Sequence, residues 1–83
     1  MKFRKKPVVI EAVQWTGDNW EKLVEFCPYG LTYDYPAYVK SITVKTLEGQ
    51  HTCSLNDWIV KGVKNEFYPC KPDIFEATYE RVE

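Results

Sequence analysis

The chain has 83 residues, a net charge of −1 and 45% hydrophobic residues, which describes one small domain (1–83) with a thin stability margin and no global basic field for gripping nucleic acid. Its three cysteines (Cys27, Cys53, Cys70) show no CxxC spacing, and no apolar run approaches the roughly 18 residues of a membrane span. No apolar stretch like the core of a secretory signal follows the basic start, so the expectation is a cytoplasmic protein with reduced thiols and no membrane, metal or other cofactor. A zinc site from His51, Cys53 and Cys70 would lack the fourth ligand and the paired spacing that zinc usually takes.

The chain opens on a basic arm, Lys2, Arg4, Lys5 and Lys6, followed by Pro7, which cannot donate to a ladder and so marks a strand start or an edge. From Val8 to Trp15 both parities are largely apolar, which predicts a central strand covered at least partly on both sides. Gly17 breaks it. Asp18 with Glu21 three residues on resembles a capping box, and Trp20, Leu23, Val24 and Cys27 fall on one stripe, predicting a short helix over about 18–27 that ends at Pro28 and Gly30. Residues 29–41 form a loop with four tyrosines, Tyr29, Tyr33, Tyr35 and Tyr38, which either cover an exposed core edge or serve recognition.

Ile42–Leu47 alternates, Glu48-Gly49 supplies a hairpin turn, and His51–Leu55 returns with His51, Cys53 and Leu55 on one face. Asn56-Asp57 turns the chain into a strand over Trp58–Val63, and Phe67-Tyr68 begins another that Pro69 ends. Pro72 suits the first position of a single helical turn, and the alternation of Phe75, Ala77 and Tyr79 against Glu76, Thr78 and Glu80 predicts a half-exposed last strand. That strand would lie beside the first, so that Glu76, Glu80 and Glu83 neutralise the basic arm. The order is strand, helix, then meander: an α+β domain with a small, curved antiparallel sheet or partly open barrel and one short helix after the first strand.

No phosphate-cradling glycine loop, no HExxH and no carboxylate pair at a catalytic spacing occurs. His51 with Cys53 or Cys70 is the only nucleophile–base combination, and nothing in its spacing favours it, so a binder is expected rather than an enzyme. The binding groups on offer are Trp15, Trp58, Tyr68 and the loop tyrosines for stacking, with Lys61, Lys64 and Lys71 for anions. Trp58 and Phe67 open strands and read first as packing residues.

The opening MKFRKKPVVIEAVQWTGDN and the closing LNDWIVKGVKNEFYPCKPDIFEATYE resemble a family of small phage and prophage proteins. Asn56 stands where the family's usual phrase has Gly, so asparagine must take any left-handed geometry the turn needs; the tyrosine-rich middle has no counterpart in the phrase. The resemblance implies a non-catalytic accessory protein of the bacterial cytoplasm, oligomeric with itself. Its expected role is to counter host defence by sequestering a nucleotide immune signal or blocking a host protein. A nucleic-acid-associated or structural module using the basic arm is the alternative.

Overall fold

A computed structural model describes residues 1–4 and 6–82; Lys5 of the basic arm and Glu83 of the acidic end lie outside the described residues. Six strands form two antiparallel three-stranded sheets. The first contains β1 (Glu11–Gln14), β5 (Trp58–Lys61) and β6 (Phe67–Cys70) in the order β1-β5-β6. The second is a meander of β2 (Leu31–Tyr33), β3 (Ile42–Thr46) and β4 (Gly49–Cys53). Helix α1 (Trp20–Phe26) follows β1, and helix α2 (Pro72–Thr78) follows β6.

The α+β class holds, but the sheets do not close into a barrel. The reason lies at Ser54–Asp57, where the chain leaves β4 and turns into β5. Asn56 sits at φ +74°, the left-handed region anticipated for it, and its N–H donates to the Trp15 carbonyl at 2.7 Å. The Asp57 carboxylate accepts the Ser54 N–H at 2.9 Å. This corner redirects the backbone from one sheet to the other instead of continuing a single ladder.

The core forms where the two sheets and α1 meet: Trp15, Leu23, Ile42, Val44, Cys53 and Ile59 are fully buried, with Val13, Trp20, Phe26, Leu31, Tyr33 and Phe67 packed around them. Trp15 is its centre. Its indole N–H donates to the Lys40 carbonyl at 2.7 Å, satisfying the ring's one polar group inside an apolar site. Lys40 adopts a left-handed conformation at φ +59°.

Helix α1 forms as the stripe predicted, with two corrections. Its N-cap is Asn19 rather than Asp18, because Asp18 instead accepts the Thr16 hydroxyl at 2.7 Å while the Asn19 side chain accepts the Thr16 N–H at 3.0 Å. Phe26 replaces Val24 on the buried stripe: Val24 is exposed, and Phe26 meets Phe67 edge-on at 5.5 Å. The hairpin between β3 and β4 turns at Leu47-Glu48, one residue earlier than expected, since Thr46 already pairs with Gly49 at φ +114°.

Two further expectations fail. The first strand is not central: β1 pairs only with β5, and the strand covered on both faces is β5, where Ile59 and Val60 are both fully buried. Val8 and Val9 remain exposed in an arm without regular structure. The last run is a helix, not a strand. Phe75 and Tyr79 share a strand parity but are also i and i+4 on a helix, and Pro72 at the first turn settles the choice. Phe75 then stacks on Trp58 with centroids 4.1 Å apart and an interplanar angle of 8°, which holds α2 against the outer face of the first sheet. The two ends therefore do not pair as strands; they line opposite walls of one groove.

Candidate functional site

Three strongly exposed rings flank β2, Tyr29 just before it and Tyr35 and Tyr38 in the loop that joins it to β3. Tyr29, Tyr35 and Tyr38 are 87, 96 and 83% exposed, with Val39 beside them half uncovered. The loop is nonetheless tied down. Asp34 donates its N–H to the Ser41 carbonyl at 2.9 Å, and its carboxylate accepts the Ser41 hydroxyl at 3.1 Å and the Thr43 hydroxyl at 2.8 Å. Between these ties the Tyr35–Pro36 peptide is cis and Ala37–Val39 makes a single 3-10 turn. Tyr33 faces the other way. Its ring packs edge-on against Trp15 at 5.7 Å and Trp20 at 5.3 Å, and its hydroxyl donates to the Ala37 carbonyl at 3.2 Å. One of the four loop tyrosines is thus an anchor and three project into solvent.

The other residues singled out from the sequence are not gathered with them. Trp58 is half-buried under Phe75. Tyr68 shares a hydroxyl–hydroxyl hydrogen bond of 3.3 Å with Tyr79, and burial together with that bond pushes its phenol up to about 12. Lys61 is half-buried opposite Glu11. Lys64 is exposed in the turn from Gly62 to Glu66, where its N–H donates to the Glu66 carboxylate at 2.9 Å. Lys71 donates its ammonium to Asp57 at 2.9 Å, and that hydrogen bond and charge raise its pKa. Its charge is already committed to a carboxylate that is only 4% exposed.

Two concavities stand apart from the tyrosine loop. A cleft of about 460 Å³ lies between the β3–β4 hairpin and β6, lined by Leu47, Glu48, His51, Glu66, Phe67 and Tyr68 among others. Glu48 and Glu66 give it an acidic lip. A longer groove runs between the arm, residues 6–12, and α2 with the residues after it, floored by Trp58 and Phe75. The sequence held no signal for either, since the first needs the two sheets placed and the second needs α2.

The thiols are poorly suited to chemistry. Cys53 is fully buried, and desolvation, reinforced by the Asp57 charge, pushes its pKa up to about 12; burial also raises those of Cys27 and Cys70. A nucleophilic cysteine needs the opposite shift. Among the described residues no three His, Cys, Asp or Glu side chains converge as a metal site, and no helix is long and apolar enough to cross a membrane.

Together these elements define a small α+β domain of two antiparallel three-stranded sheets with exposed tyrosines on either side of β2. No protein-family profile, curated protein or solved structure matches the chain.

Proposed function

We propose that the protein is a non-catalytic binding module whose contact surface is the tyrosine loop, residues 29–39. One observation carries this reading: Tyr35 and Tyr38 are almost fully exposed on a loop whose backbone is fixed by Asp34, Ser41 and Thr43, and Tyr29 is as exposed on the connection just before β2. Rings presented on a fixed backbone bury large area on contact and lose little conformational entropy. An unneeded cluster of this kind would be a solubility liability on a domain this small. The raised thiol pKa values argue against the His51–cysteine pair as a catalyst.

A protein surface suits these rings better than a nucleotide. Neither concavity takes a residue from the loop, and the cleft beside His51 carries Glu48 and Glu66, whose charges oppose a phosphate. The resemblance of the two ends of the chain to small phage proteins supplies the biological setting: a phage-encoded counter-defence inhibitor acting on a host protein in the bacterial cytoplasm. The test is an affinity comparison between the wild-type chain and the Tyr35→Ala/Tyr38→Ala variant, using extract of a susceptible host and mass spectrometry. A host protein held stoichiometrically by the wild type and lost from the variant, which should melt at the same temperature, supports the reading. A partner retained equally by both moves the contact surface elsewhere. If cyclic or linear nucleotides instead raise the melting temperature and are recovered unchanged after denaturation, the module is a nucleotide sponge.

A further inference from the structure

β1 forms one edge of its sheet, and its outer side is unusually open. The Trp15 N–H donates to the Asp57 carbonyl at 2.8 Å, so the odd positions of β1 turn their backbone groups towards β5. Ala12 and Gln14 therefore face outwards, and a strand extended back through the arm would turn Val8 and Ile10 the same way. Among the described residues the Gln14 carbonyl is taken, by the Asn19 amide at 2.7 Å. Pro7 falls on the inward parity, so its missing N–H leaves no gap on the outer edge. Edge strands are normally blunted by charges, bulges or a covering loop. Here the run Pro7–Val13 carries a single charge, Glu11, and Val8 and Val9 are 53 and 75% exposed.

We propose that a second copy of this chain pairs antiparallel with this edge, joining the two three-stranded sheets into one across a two-fold axis near Val9. Charge selects this partner. The even positions of β1 share a face with Trp58, the face that α2 covers through Phe75. Pairing centred on Val9 sets the partner's Lys6 opposite Ala12 and the partner's Arg4 opposite Gln14, with both cations on the α2 side. There Glu76 and Glu80 line the groove of about 1130 Å³ between arm and helix. Pro7 then meets the partner's Glu11 at a position that exchanges no backbone hydrogen bonds. Between two chains the basic arm thus comes to face the glutamates of α2 and of the segment after it. The groove's own charges, Glu11, Glu76 and Glu80 against Lys6 and Arg81, offer a phosphate backbone no net attraction.

Analytical ultracentrifugation of the full chain from micromolar to sub-millimolar concentration tests this. A concentration-dependent dimer is expected. Val9→Lys, which sets like charges opposite each other at the two-fold axis, should raise the dimer Kd by more than about tenfold. Ile10→Pro, which removes an outward N–H, should act in the same direction, and Glu76→Lys should weaken the dimer while Lys6→Glu in the same chain restores it. Val9 is exposed, so circular dichroism and melting of the Val9→Lys monomer should be unchanged; Leu47→Lys, on the far hairpin, should leave the dimer intact. A chain that stays monomeric throughout, a dimer indifferent to Val9→Lys and Ile10→Pro, or a monomer that binds DNA or RNA through the arm overturns the proposal.

Discussion

Replacing Asp57 by alanine removes the side chain on which the corner between the two sheets turns. The carboxylate is almost fully buried and accepts the Ser54 N–H at 2.9 Å and the Lys71 ammonium at 2.9 Å. The two partners differ in what they lose. Ser54 is half-buried, and its amide is left without an acceptor, so the loss is that of a hydrogen bond to a charged group, about 1.5–3 kcal/mol. Lys71 keeps 56% of its side chain in solvent and simply rehydrates, so its share is screened and small. For a domain of this size each kcal/mol moves the melting temperature by about 4–8 °C, so Asp57→Ala should lower it by roughly 6–24 °C. Asp57→Asn should cost less, because an amide oxygen can still accept the Ser54 N–H. Urea unfolding of Asp57→Ala, Lys71→Ala and the double variant gives the coupling directly. Lys71→Ala destabilising as strongly as Asp57→Ala would refute the reasoning, since it would make the ion pair, not the backbone contact, the main tie.

Two other outcomes follow from the titrating groups. With its thiol pushed up to about 12 and no solvent access, Cys53 should resist iodoacetamide in the native state at pH 8, while Cys70, only partly covered, reacts faster; mass mapping of the alkylated chain checks the order. Tyr68 and Cys53 both hold their protons more tightly folded than unfolded, their ordinary values being 10.0 and 9.0 against about 12. Their contribution is fully present below the ordinary values and is lost as pH rises through the folded ones. Lys71, raised above 10.5 by Asp57, has the same sign. Stability should therefore hold through neutral pH and fall between about pH 9 and 12, with a shallower fall in Tyr68→Phe, as read from denaturation midpoints.

Local signals in the sequence carried further than long-range ones. The stripe of Trp20, Leu23 and Cys27 found α1 because helical spacing is a property of a few turns, and the β3–β4 hairpin was legible in its own alternation. Asn56 showed its left-handed turn by standing where the phrase it resembles has glycine. The arrangement of these pieces was not legible. Whether Val8–Trp15 lies at the centre or the edge of a sheet depends on which strands flank it, and apolar residues on both parities are equally served by an edge that awaits a partner. Phe75–Tyr79 fits periods of two and of four at once over so short a run; Pro72 at the first turn favours the helix, and the stack on Trp58 holds it. The tyrosine loop was visible as composition, yet which ring anchors and which project depends on Trp15 and Trp20 lying beneath Tyr33.

The pairing of β1 with β5 also bears on the order in which the chain can acquire its structure. The meander of β2, β3 and β4 closes through short connections and needs nothing from outside residues 31–53. No residue of β1 can meet its partner until Trp58–Lys61 has left the ribosome, and the loop it must close encloses the whole meander. During synthesis the second sheet is thus the template, and Val13 and Trp15 are apolar groups waiting in the open. The strand read first thus waits for one of the last strands made, which makes the early part of this chain a natural client for whatever shields nascent hydrophobic segments.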